Sequence, residues 1–111
     1  VGDETLLLDA LDAGWSGTVS GAANLVAGWL ARVVRDHAAE GRAPAEARYS
    51  ILKPVLRAIR SQPQPQANKA VLHRLGRIPC PAVRLPLLEG DPAPVLQALA
   101  AIGVKEAQQN G

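Results

Sequence analysis

At 111 residues, 48% of them hydrophobic, the chain is long enough for one domain with a sizeable core, and too short for two. Its 12 basic and 10 acidic residues leave a net charge of +2, the Arg residues are spread along the chain, and aromatics make up 3%. The concentrated basic face and stacking platform of a nucleic-acid binder are therefore missing. One cysteine rules out an internal disulfide or a multi-cysteine zinc site. No apolar run has the length of a membrane span and no signal peptide opens the chain, so a cytoplasmic location without a membrane partner is the expectation. With no Met anywhere, the chain reads as a piece of a longer protein.

The first helical pattern covers Thr5 to Ala13, with Leu6, Leu7, Ala10 and Leu11 on one side. Asp3 is placed to cap it, Glu4 suits its positive end, and Gly14 stops it. The stretch G-W-S-G-T-V-S-G-A-A-N, from Gly14 to Asn24, follows. Thr18-Val19-Ser20 within it is the chain's one β-leaning segment, and Asn24 reads as the N-cap of a helix over Leu25 to Glu40. In that helix Leu25, Trp29 and Val33 form one row and Val26, Leu30 and Val34 the next, with Gly41 as the stop.

Pro44 suits the first position of a third helix, whose apolar positions are Ile51, Leu52, Val55, Leu56 and Ile59. Pro54 lies inside it, so a kink is expected near Ser50 to Lys53. S-Q-P-Q-P-Q, Ser61 to Gln66, reads as extended linker. A short helix from Ala67 to Leu75 ends at Gly76, and Arg77 to Gly90 is irregular and Pro-punctuated. A last helix starts at Asp91-Pro92 and runs through Val95, Leu96, Leu99 and Ile102 to Gly103, before a polar tail from Lys105 to Gly111 that is expected to fray. Five helical patterns and one short strand make the chain mostly α. A lone strand cannot satisfy its own backbone groups, so this one implies sheet neighbours elsewhere in the protein.

Few residues offer chemistry. Gly14-Trp15-Ser16-Gly17-Thr18 resembles a G-x-S-x-G nucleophile turn, but Thr18 replaces the second Gly and the turn precedes the strand instead of following it. No phosphate-loop spacing is present. His37 falls in the last turn of its helix, and neither His37 nor His73 has a second His at ligand spacing, so no metal is expected. Cys80, between two prolines, reads as a small buried hydrophobe, and Lys69 as a salt-bridged structural lysine.

Three stretches in order carry a resemblance: Gly2-Asp3-Glu4, then Gly17-Thr18-Val19-Ser20-Gly21-Ala22-Ala23-Asn24, then Lys69 with Gly76 and Val83-Arg84-Leu85-Pro86-Leu87. From Val1 to about Val104 the chain resembles the C-terminal part of the dihydrodipicolinate synthase/N-acetylneuraminate lyase family. The resemblance implies a (β/α)8 TIM barrel that makes or breaks a carbon–carbon bond through a Schiff base with pyruvate or another 2-oxo acid, without a cofactor. Residues 1–41 would be its last βα units and 42–111 its C-terminal helical extension. The family pattern puts Gly2 and Asp3 after the seventh strand and Val19, Ser20 and Gly21 at the end of the eighth, as one wall of the substrate pocket. The backbone at the positions of Gly2 and Val19 approaches substrate or lysine, whereas Gly21 stands where the sialic-acid lyases carry a substrate-binding Ser.

The imine-forming lysine and the proton-relaying tyrosine of the family lie on earlier strands, upstream of Val1. Lys69 matches a structural lysine of the extension, and Tyr49 falls on a C-terminal helix. The resemblance therefore implies a chain with no catalytic residue of its own, from a parent that is a homo-oligomer, a dimer or tetramer, acting on a small 2-oxo acid or aldehyde. The alternative is a stand-alone helical module that binds a protein partner through its amphipathic faces.

Overall fold

The computed structural model describes residues 1–103, and the tail from Lys105 lies outside the described residues. A 3₁₀ turn, Glu4–Leu6, leads into α1 (Leu7–Asp12). Then come α2 (Ala23–Glu40), α3 (Arg42–Arg60), α4 (Gln66–Arg74) and α5 (Ala93–Ala101). The residues gather into two compact units, Val1–Lys53 and a second from Pro54 onward, with α3 contributing to each.

The mostly α expectation is met, with five helices in the expected places. The strand is not: among the described residues Thr18 to Ser20 belongs to no helix or strand. It has one paired residue opposite it, too short a ladder for a strand.

In the first unit Leu7, Leu25, Val26, Leu30, Val33, Tyr49 and Leu52 form a buried core with Leu8, Ala10 and Leu11. The 3₁₀ turn before α1 advances the chain by a tighter step than an α turn, which shifts the apolar phase. Leu6 is left 50% exposed, and Leu8 takes its place inside. Gly14 (φ 93°) ends α1 as expected, in a Schellman arrangement: its N–H donates to the Leu11 carbonyl (3.0 Å) and that of Trp15 to Ala10 (2.9 Å).

The start of α2 departs from expectation. Its N-cap is Ala22, and Asn24 lies inside the first turn, with its side-chain amide donating to the Gly21 carbonyl (3.0 Å). The turn opens with i→i+3 bonds from Ala23 to Ser20, Asn24 to Gly21 and Leu25 to Ala22. Val26 then leaves helical geometry (φ −132°, ψ 34°) where the tight turn passes into the α-helix proper. α3, by contrast, runs through Pro54 as one helix.

The second unit buries Val55, Leu56, Ile59, Ala67, Ala70, Val71, Val95 and Leu99. Its alternating Gln-Pro stretch, Ser61 to Gln66, is a structured connection, not a bare linker. The Gln62 side-chain amide pairs with the Asp91 backbone in both directions, donating to its carbonyl (2.7 Å) and accepting from its N–H (2.8 Å). Gln64 donates to the Ile59 carbonyl (3.1 Å) and accepts from the Asn68 N–H (3.3 Å). Gly90 passes so close to α4 that a Cβ there would lie 2.7 Å from the Gln66 carbonyl oxygen.

Candidate functional site

The five expected pocket-wall residues lie in the first unit, on two segments joined side by side. The Val1 nitrogen donates to the Gly17 carbonyl (2.8 Å), and the Val19 N–H donates to the Val1 carbonyl (3.0 Å). One residue bonding both neighbours of its opposite number is the pattern of parallel strands, so Val1 and Thr18 pair in parallel register. The Thr18 hydroxyl adds a bond to the same Val1 carbonyl (2.6 Å). Gly2 comes next, and a Cβ there would lie 3.9 Å from the Val19 carbonyl, so Gly2 and Val19 run beside each other. The Val19 side chain is 90% exposed.

Asp3 and Glu4 point in different directions, as neighbours on a turn do. Asp3 is the N-cap of the 3₁₀ turn, and its carboxylate accepts from the Thr5 N–H (2.9 Å) and the Thr5 hydroxyl (2.6 Å). Glu4, placed by the sequence at the positive end of the helix, is buried, with 5% of its surface exposed. Its carboxylate receives the Ser20 hydroxyl at 2.6 Å, and its backbone carbonyl receives the Tyr49 hydroxyl at 2.9 Å. The Ser20 oxygen also accepts from the Ala22 N–H (3.0 Å), which makes it the polar group organising the entry to α2. Gly21 contributes its carbonyl to the Asn24 amide, and its backbone continues the turn.

Glu4 and Tyr49, which are not among the five expected wall residues, bond into the same cluster: Glu4 receives the Ser20 hydroxyl and Tyr49 donates to the Glu4 carbonyl. A buried acid has no local signature, and the Tyr49 contact spans 45 residues of sequence.

Elsewhere in the first unit a charged clasp gathers three helix ends. Arg42 at the start of α3 bonds Asp9 (3.0 Å), Asp12 and Glu46 (3.3 Å), and His37 Nε2 lies 2.8 Å from Asp12. The hydrogen bonds from His37 and then Arg42 hold the Asp12 carboxyl below the usual carboxylate range, and Asp12 and Asp9 in turn push the Arg42 guanidinium further above its own. In the second unit Lys69 donates to the Ala82 carbonyl (2.5 Å) and so makes a backbone contact where an ion pair was expected. Cys80 is exposed, contrary to the buried reading, because the proline-bounded segment carrying it presents no helix face to cover it. Among the described residues no three His, Cys, Asp or Glu side chains converge as a metal site would require, and no helix is long and apolar enough to cross a membrane.

Each unit has an open cavity. The first, of about 490 Å³, is a mainly apolar groove walled by Gly17, Thr18, Ala23, Ala27, Ala31 and Val34. The second, of about 500 Å³, is bordered by Ala70, His73, Arg74, Glu89 and Gly90.

This arrangement of helices is shared with solved enzymes. A monomeric dihydrodipicolinate synthase variant superimposes with a TM-score of 0.83 at 22% identity, covering 92% of this chain and 35% of that one. The dihydrodipicolinate synthase of Cyanidioschyzon merolae, solved with lysine bound, superimposes with a TM-score of 0.78 at 27% identity and the same coverages. No curated protein matches the chain by sequence. Residues 1–104 match the dihydrodipicolinate synthetase family, and the chain belongs to it. It spans 35% of the length of each of these two enzymes.

Proposed function

We propose that the chain is the C-terminal section of a class I, Schiff-base enzyme that forms or cleaves a carbon–carbon bond beside the carbonyl of pyruvate or another 2-oxo acid. Family membership across residues 1–104 carries this reading, in a chain that covers 35% of its structural relatives. A protonated imine withdraws electrons from the adjacent carbon and stabilises the carbanion that bond making or breaking requires. The lysines among the described residues are otherwise engaged: Lys53 lies 5.8 Å over the Tyr49 ring and Lys69 holds the Ala82 carbonyl. The imine-forming lysine is assigned to a strand upstream of Val1, and the chain alone is inactive.

Residues 1–41 act as the last βα units and 42–111 as the helical extension. Gly2, Asp3, Val19, Ser20 and Gly21 form one wall of the pocket, at the strand ends where barrel enzymes gather their chemistry. The parallel register of Val1 with Thr18 supports this, because adjacent barrel strands run parallel. The apolar groove along α2 receives the neighbouring unit of the barrel, and the complete cytoplasmic enzyme assembles as a homo-oligomer.

Circular dichroism, ANS binding and amide exchange on the isolated chain test whether it is a section of a larger fold. The expected result is helical signal with a broad melt and strong ANS binding, since the groove and the second edge of Thr18 to Ser20 lack their covers. A sharp cooperative melt with protected amides throughout would favour the stand-alone helical module instead.

A further inference from the structure

The buried Glu4 has a second attachment that the pocket-wall motif does not contain. Tyr49 sits on α3, far from the motif in sequence, is 5% exposed, and spends its hydroxyl on the Glu4 carbonyl (2.9 Å). From Glu4 the contact continues to Ser20. Because the Ser20 oxygen accepts from the Ala22 N–H, its own proton is directed to the Glu4 carboxylate. Tyr49, Glu4, Ser20 and Ala22 thus form one ordered path from α3, across the turn after Gly2, to the segment carrying Val19 and Gly21. We infer that Tyr49 is a positioning residue for the pocket wall: its hydroxyl fixes the Glu4 turn, and Glu4 in turn fixes where Ser20 sits and which way its proton points. This role rests on the Schiff-base reading given above, and it assigns α3 a part in substrate fit that the motif residues alone do not show. A site held by such supporting bonds keeps its geometry without reorganising when substrate arrives.

Tyr49→Phe keeps the ring and removes only the hydroxyl. In the complete protein carrying this chain, KM should rise about 2- to 10-fold, the loss expected for one buried hydrogen bond. The fraction of protein trapped by borohydride with pyruvate, and kcat per trapped site, should stay unchanged. A purely structural role predicts the opposite split, with fewer trapped sites and KM unmoved, and that result overturns the inference. Ser20→Ala combined with Tyr49→Phe should raise KM by less than the product of the single effects, because both act through Glu4. Multiplicative effects overturn it as well. If the wild-type protein traps no 2-oxo acid, the Schiff-base reading fails on its own account. The Tyr49–Ser20 path is then decided by the same cycle read as melting temperature, where additive shifts refute it.

Discussion

The two units have similar apolar cores but hold their irregular segments in different ways. In Val1–Lys53 side chain meets side chain between Ser20 and Glu4 and between Arg42 and Asp9 and Asp12, and the Tyr49 hydroxyl adds a bond to the Glu4 backbone carbonyl. From Pro54 onward Gln62 ties to the Asp91 backbone and Lys69 to the Ala82 carbonyl, and Gly90 passes close to the Gln66 carbonyl. In the first unit the bonds at Glu4 join the turn after Gly2 to the entry of α2, and the Arg42 clasp joins helix ends, whereas in the second Gln62 and Lys69 hold Pro-rich connections to helices.

Substitutions in the complete protein separate the two units. Leu7→Ala in the first core and Leu56→Ala in the second, at residues 0% and 2% exposed, should each destabilise by about 2–5 kcal/mol in denaturant melts. A cost below about 1 kcal/mol at Leu56 would show that the second unit lacks a packed core of its own. Gly90→Ala should cost about 1–3 kcal/mol, because the new methyl meets Gln66 backbone atoms that cannot swing away. A neutral result would mean that the close approach is not maintained in solution. Gln62→Ala, which loses both bonds to Asp91, should cost about 1 kcal/mol and speed amide exchange at Asp91.

The smallest effect concerns the charged clasp, which is solvent-exposed and screened. Because the Asp12 pKa is lowered in the folded protein, its stabilising contribution is present above the unfolded value of about 3.9 and is lost as pH falls through the lower folded value. Wild type should therefore melt slightly above Asp12→Asn near neutral pH, and the gap should close below about pH 4 and in high salt. A gap that survives acid and salt would assign the effect to packing instead.

Much of the helical framework could be read from the residues. Gly14, Gly41, Gly76 and Gly103 all take positive φ at helix ends, and each was identified by following the last apolar position of its pattern. The apolar rows of α2 and α3 are buried largely as their spacing implies, except that Trp29 and Val34 are only partly covered and Ile51 is half-exposed. What escaped depended on local phase or distant contact. The 3₁₀ turn at Glu4–Leu6 exchanged Leu6 for Leu8 in the core, and the tight turn at Ser20 to Leu25 moved the cap of α2 from Asn24 to Ala22. The Thr18 to Ser20 segment looked like a strand because its residues favour extended backbone, yet one paired residue is too little ladder to make one. For the candidate site, Gly2, Asp3, Val19, Ser20 and Gly21 were recognisable as a motif. The burial of Glu4 and its support by Tyr49 depend on tertiary packing and leave no mark in spacing.

Reduction with borohydride in the presence of pyruvate, followed by peptide mapping of the complete protein, locates the imine-forming lysine. The expected result is one modified lysine, located upstream of Val1, with Lys53, Lys69 and Lys105 unmodified. An adduct on Lys69, or on either of the other two, would contradict it.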